Sequence, residues 1–138
     1  MSDAYILDAC ALIALLKKEE GADKVTEVYK RAVAGKASLA MHKMNLLEVY
    51  YDLYRTLGKT VADEVLEKVK LSQIRVISEL IDEVFAETGR LKASYRISLA
   101  DSIALAEASV SGCALMTSDH HEFDAIEQAE DIRIFWIR

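Results

Sequence analysis

The sequence has 138 residues and a net charge of −6, with 52% hydrophobic and 29% charged residues. This length and balance predict one globular domain, and no apolar run is long enough to span a bilayer. The acidic balance argues against a protein that binds nucleic acid by bulk electrostatic attraction.

Short apolar runs alternate with amphipathic segments along the chain. Strands are predicted at residues 4–7, 37–41, 74–77, 113–116 and 132–137. Helices are predicted directly after the first strand, around 25–33, over 45–57, from Thr60 to about 71, from Ser78 past 91, from Ser98 to about 110, and over 122–129. The inner faces of the helices from Ser78 and Ser98 are predicted to carry Ile81, Val84, Phe85 and Leu91, and Leu99, Ile103, Ala106 and Val110.

Strands that alternate with helices indicate a mainly parallel sheet of about five short strands, covered on both faces by helices. We therefore expect a three-layer α/β/α architecture in a single domain over residues 1–138. Ligand sites of such sheets lie in the crevice beyond the carboxyl ends of the strands. Polar residues that follow the strands are the first candidates for a site.

Four acidic residues occupy such positions. Asp8 ends the first strand, and Glu48 lies in the first turn of the helix after the second. Asp101 lies in the first turn of the helix from Ser98, and Asp119 closely follows the fourth strand. If these elements meet at one edge of the sheet, all four carboxylates face the same crevice.

Helix capping is a simpler explanation for each acid taken alone. Asp8 has the position of an N-cap. The other three lie in capping-box spacings: Ser98 with Asp101, Asn45 with Glu48, and Asp119 with Glu122.

The four acids together favour a metal site. Two carboxylates about 4 Å apart repel by roughly 4 kcal/mol at an effective dielectric near 20, so a cation between them is expected. Oxygen ligands select Mg²⁺ or Mn²⁺, and the sequence has no zinc-type spacing of His and Cys. Such ions activate water and stabilise the reacting oxygens of a phosphodiester, which predicts metal-dependent phosphoryl hydrolysis.

Four blocks, in order, carry a resemblance to a known family. They are residues 6–14 (ILDACALIA), 45–49 (NLLEV), 98–106 (SLADSIALA) and 117–124 (TSDHHEFD). In this order the sequence resembles the PIN-domain ribonucleases, of the small kind that includes the VapC toxins, over essentially the whole chain.

The resemblance implies that Asp8 and Asp101 ligate Mg²⁺ or Mn²⁺ directly. Glu48 and Asp119 would complete the acidic cluster, directly or through water. It further implies an RNA substrate, a separately encoded antitoxin, a homodimer and a cytoplasmic location.

Three residues leave alternatives open beside this pattern. Glu122 and Asp124 lie close to Asp119 and are possible additional acids. Cys10 stands where the family often has a hydroxyl residue, so its role is open. With Cys113, the other cysteine, it has no redox-type spacing, which fits a reducing compartment.

Several further residues admit two interpretations. Arg90, Lys92 and Arg96 precede Asp101 and either bind RNA phosphates or form a solvated face. His120 and His121 are candidates for a general base but equally for solvated or capping residues, and His42 is expected at the surface or at a helix entry. The aromatic residues Tyr50, Tyr51 and Tyr54 either stack on bases or fill a core or dimer interface.

The sequence therefore predicts a metal-dependent endoribonuclease, the toxin of a toxin–antitoxin pair. The alternative is a catalytically silent PIN-fold module that binds RNA or protein. The presence of all four acids favours the enzyme.

Overall fold

The structure is a computed structural model that describes residues 3–138. Its strands are β1 (Asp3–Leu7), β2 (Ala37–His42), β3 (Ile74–Ile77), β4 (Ala114–Thr117) and β5 (Ile134–Trp136). Its helices are α1 (Ala9–Leu16), α2 (Ala22–Val33), α3 (Lys43–Leu57), α4 (Lys59–Lys70), α5 (Asp82–Ser94), α6 (Leu99–Ser111) and α7 (His120–Ala129). None of these helices has the length and apolar character needed to cross a bilayer.

The strands form one parallel sheet in the order β3-β2-β1-β4-β5, with β1 at its centre. Successive side chains of a strand point to opposite faces. Tyr5 and Leu7 accordingly pack into one core, which α1 to α4 cover, whereas Ile6 packs into a second core under α5 to α7. The three-layer α/β/α prediction is confirmed.

The parallel arrangement puts the carboxyl ends of β1 and β4 side by side. Leu7 pairs with Met116 in the register of the two strands. The N–H of Asp8 then donates to the Met116 carbonyl (3.2 Å), so the residue after β1 lies beside Thr117 at the end of β4. This edge is where the candidate site forms.

Two predicted helix starts are wrong. Gly58, at φ 92° and ψ 167°, is the residue before α4, so Thr60 lies inside the helix rather than at its cap. Ser78 does not begin a helix either, because residues 78–81 are not helical and α5 starts at Asp82 after an extended Ile81. Asp82 and Glu83 fall in the first turn of α5, where negative charge is favourable.

The predicted inner faces of α5 and α6 also need correction. Val84 and Leu91 are buried as predicted, but Phe85 is 67% exposed, and Ile81 is exposed too and lies before the helix. Thr88 is the third buried residue of α5. In α6 every residue from 101 to 108 is buried, while Leu99 and Val110 are exposed. The reason is that α6 packs against the sheet, α3 and α5 together, and a helix enclosed in this way has no single inner stripe.

Gly21, which precedes α2 at φ 97°, supplies a test of how tightly the two ends of the fold pack. A Cβ there would lie 2.7 Å from the Ile137 carbonyl oxygen and 2.9 Å from Ile137 Cγ1. We expect Gly21→Ala to lower the free energy of unfolding by about 2–4 kcal/mol, as left-handed strain and overpacking add. Urea unfolding measures the change.

Gly35→Ala is the matched control. Gly35 is also left-handed (φ 76°), but a Cβ there meets nothing within 4 Å. The free energy of unfolding of Gly35→Ala should fall only by the cost of the left-handed backbone strain, about 1–2 kcal/mol. Equal losses in the two variants would show that the contact with Ile137 contributes nothing.

Candidate active site

Asp8 is a fully buried acid at the centre of the sheet edge. Its Oδ1 accepts a hydrogen bond from the N–H of Ala11 (2.9 Å), which makes Asp8 the N-cap of α1 as the sequence suggests. Its Oδ2 accepts a hydrogen bond from the hydroxyl of Thr117. Burial raises the pKa of Asp8 to about 7, against these two hydrogen bonds, and the charges of Asp101 and Asp119 raise it further.

Thr117 joins two of the acids. Its hydroxyl donates to Asp8 and its oxygen accepts from the N–H of Asp119 (3.0 Å). Sequence reasoning did not assign this role to Thr117. The available signal was a hydroxyl residue closing the strand next to the one that Asp8 ends.

Asp101 and Asp119 meet across the crevice, and Glu122 joins them. Each contributes a carboxylate oxygen within 4.8 Å of the other two. Asp119 caps α7 by accepting from the N–H of Glu122 (3.1 Å), while the N–H of Asp101 donates to Ser98 Oγ (3.1 Å) at the start of α6. These acids therefore take part in helix caps and also belong to one shared cluster.

The pKa of Asp101 rises to about 7. Burial is the main cause, since the residue is only 9% exposed. A side-chain hydrogen bond from the Ser98 hydroxyl to the carboxyl group opposes the rise, and the charges of Glu48, Asp119 and Glu122 add to it.

Glu48 lies one turn further into its helix than predicted. Because α3 begins at Lys43, capped by His42, the expected capping box of Asn45 and Glu48 does not form. Buried Asn45 instead donates to the Ala100 carbonyl (3.0 Å) and so ties α3 to the start of α6. Burial raises the pKa of Glu48, and a hydrogen bond from the Tyr51 hydroxyl (3.5 Å) opposes the rise.

The thiol of Cys10, which is half-buried, is affected by the charges of four of the acids. Burial raises the pKa of its thiol to about 12, and the charges of Asp8, Asp119, Asp101 and Glu48 act in the same direction. The position where a hydroxyl was expected thus holds a neutral thiol among acids.

The donor set fits a hard divalent cation. Within residues 3–138, none of the ion pairs involves Asp8, Glu48, Asp101, Asp119 or Glu122. The acids therefore offer several carboxylate oxygens, and no basic side chain balances their charge. Two of the carboxyl groups, those of Asp8 and Asp101, are buried. Such all-oxygen sites suit Mg²⁺ or Mn²⁺.

Asp124 and the two histidines lie apart from the cluster. Asp124 Oδ1 is 2.8 Å from Nδ1 of His120, whose Nε2 is 2.8 Å from the Arg138 carbonyl oxygen. Both ring nitrogens of His120 are thereby engaged, which argues against a general base. His121 is exposed. Of the two additional acids that the sequence offers, Glu122 joins Asp101 and Asp119.

The three candidate phosphate-binding cations differ in their contacts. Arg90 forms ion pairs with Glu87 and Glu130, and Lys92 Nζ donates to the Ile97 carbonyl (2.8 Å). Arg96 is exposed, and among the described residues it forms no ion pair or side-chain hydrogen bond. The structure therefore favours Arg96 over the other two.

The structure also bears on the alternative roles predicted for the three tyrosines of α3 and for His42. Tyr50 packs against the first core and donates to Asp63 (2.6 Å), as the core interpretation expects. Tyr51 and Tyr54 are each 47% exposed and so do not fill the core of this chain, which leaves a dimer interface or base stacking as their predicted roles. His42 is buried and caps α3, which confirms the helix-entry alternative.

Solved structures of several other proteins share this fold. A chain of the DNA-bound VapBC complex from Salmonella typhimurium superposes with a TM-score of 0.76 at 19% identity, over 100% of both chains. VapBC-1 from nontypeable Haemophilus influenzae gives 0.72 at 17%, over 97% of this chain and 98% of that one. VapC20 from Mycobacterium tuberculosis, described as a sarcin-ricin loop cleaving toxin, gives 0.60 at 18%, over 93% and 95%.

At these identities the likeness concerns the fold. No curated protein sequence matches the chain. The family comparison is decisive, because the PIN domain matches residues 5–128 and so includes β1, α3, α6 and the acids of α7. This chain belongs to the PIN domain family.

Proposed function

We propose that this protein is a metal-dependent endoribonuclease. The observation that carries the proposal is the cluster of buried and half-buried carboxylates that no basic side chain within residues 3–138 balances. Membership of the PIN family supports it, as does the fold shared with a VapC described as cleaving the sarcin-ricin loop.

Asp8 and Asp101 would hold Mg²⁺ or Mn²⁺ directly, with Glu48 and Asp119 completing the site directly or through water. Glu122 is close enough to Asp119 and Asp101 to add a further ligand. The ion would supply an activated water and stabilise negative charge on the scissile phosphate.

The protein's own contribution is to hold these carboxylates in place before substrate arrives. Asp8 has one donor on each oxygen, Ala11 N–H and Thr117 OH, and is shielded from water. The Thr117 hydroxyl oxygen also accepts the hydrogen bond from the N–H of Asp119, so one residue orders both acids. Asn45 holds the start of α6 beside α3. Ligands locked in this way bind a metal without first losing side-chain freedom.

We further propose that the protein is the toxin of a toxin–antitoxin pair in the cytoplasm. The neighbours in VapBC complexes support a separately encoded antitoxin. An exposed apolar stripe along α3 supports contact with protein, either the antitoxin or a second copy of the chain in a homodimer. It consists of Met44, Leu47, Tyr51 and Tyr54, at helical spacing and 37–49% exposed.

Cleavage of labelled RNA in Mg²⁺, Mn²⁺ or EDTA tests the proposal. We expect cleavage only with metal, and a loss of at least about a hundredfold in Asp8→Asn and Asp101→Asn, since metal catalysis contributes several kcal/mol. Asp131→Asn, an exposed acid outside the cluster, is the control and should cleave normally.

Two results would contradict the proposal. Cleavage that persists in both folded variants would mean that another site or a contaminant is responsible. No cleavage by antitoxin-free wild-type protein would favour the silent binding module.

The raised pKa values predict how the metal-free protein responds to pH. The pKa values of Asp8 and Asp101 are about 7 in the folded protein, whereas an unfolded chain has values near 4. Between these values the folded state binds more protons than the unfolded state, so the free energy of unfolding falls as the pH rises. In EDTA we expect unfolding stability to fall from pH 5 to pH 8, and Mg²⁺ to restore it at pH 8.

Asp101→Asn removes one of the two ionisations, so its stability should fall less over the same range. Urea unfolding at both pH values measures the difference. A wild-type protein whose metal-free stability rises from pH 5 to pH 8 would contradict the prediction.

Arg96→Ala should weaken RNA binding without affecting the fold. Losing one phosphate contact to single-stranded RNA should lower affinity equally across sequences and reduce the slope of log K against log salt by about 0.7. Arg133→Ala is the control, because Arg133 contacts the Gly112 carbonyl at the opposite edge of the sheet. Unchanged slopes in fluorescence anisotropy would leave Arg96 as a solvated residue.

A further inference from the structure

Helix α7 carries two acids of the cluster but has few buried anchors. Asp119 caps the helix and Glu122 lies in its first turn. The buried residues of α7 are Phe123 and Ile126. Since Asp119 and Glu122 repel each other and Asp101 at close range, the first turn of α7 needs a further attachment to stay at the site.

Trp136 of β5 supplies two contacts to this helix. Its indole ring lies parallel to the His120 imidazole, with the ring centroids 3.8 Å apart and an 8° interplanar angle. Its Nε1 donates to Glu127 Oε2 (3.2 Å). His120 and Glu127 are seven residues apart and therefore on the same helix face, so one side chain contacts α7 at two positions about two turns apart.

The backbone around Trp136 is fixed to the same strand end that orders the acids. Trp136 pairs with Thr117 in the sheet, and the N–H of Ile137 donates to the Thr117 carbonyl (3.1 Å). Thr117 also bonds Asp8 and Asp119. The contact of His120 Nε2 with the Arg138 carbonyl oxygen (2.8 Å) adds a second link between α7 and the chain after β5.

We propose that Trp136 is a positioning residue, which holds the first turn of α7 through His120 and Glu127 so that Asp119 and Glu122 stay beside Asp101. The inference rests on the proposed metal-dependent function and adds a residue outside the acidic cluster to the determinants of metal affinity. Trp136 touches neither metal nor substrate, and it acts through the helix that carries the ligands.

Ordinary packing would also explain a Trp on an edge strand. A control residue on the same strand distinguishes packing from a positioning role. Phe135 on the same strand packs with its ring edge-on to Tyr5 (5.3 Å) against the other core. Phe135→Leu therefore removes aromatic packing from β5 without touching α7. It is the matched control for general loss of stability.

Mn²⁺ binding to the full-length protein, measured by calorimetry and by electron paramagnetic resonance, tests the proposal independently of activity. We expect Trp136→Leu and His120→Ala to weaken Mn²⁺ binding about tenfold. Trp136→Phe, which retains a ring but lacks the N–H, should weaken it less. Phe135→Leu should stay within about twofold of wild type, even where urea unfolding shows a comparable loss of stability.

Wild-type affinity in Trp136→Leu, or an equal loss in Phe135→Leu, would overturn the positioning role while leaving the proposed function intact. If Trp136→Leu does not fold, His120→Ala and Trp136→Phe decide, and wild-type affinity in both overturns the role. A wild-type protein that binds no Mn²⁺ and cleaves no RNA would overturn the proposed function itself.

Discussion

The rest of the site depends on one buried carboxylate. Asp8 has no access to water, so every contact around it must compensate for lost hydration. One oxygen is satisfied by the start of α1 and the other by Thr117, which in turn fixes Asp119. The parallel pairing of β1 with β4 is what brings Asp8 to the level of Thr117 and Asp119.

The features that the sequence predicts well are those that short segments determine. Alternating strands and helices identify the layers, and acids after strand ends identify the site, because residue spacing and capping are local properties. The partners of Thr117 and Arg90 lie 109 and 40 residues away, so their contacts with Asp8 and Glu130 leave no local pattern. The inner face of α6 fails for the same reason, because three neighbours enclose the helix.

Charge at the active edge is unusually one-sided for a protein expected to bind a polyanion. The chain is acidic overall, and within residues 3–138 no ion pair reaches the acids of the site. A bound divalent ion would then be the main local positive charge, both for balancing the acids and for attracting phosphate. In the proposed nuclease, stability, metal binding and substrate binding would thus be coupled through the same electrostatic imbalance.

Cys10 gives this site an uncommon chemical property. Alkylating agents and peroxide react with the thiolate, and a thiol whose pKa is about 12 is almost entirely protonated at neutral pH. Burial, and after it the charges of the neighbouring acids, therefore suppress the nucleophilicity of the Cys10 sulfur. At this position, beside the acids, the thiol of the metal-free protein is expected to react slowly with peroxide.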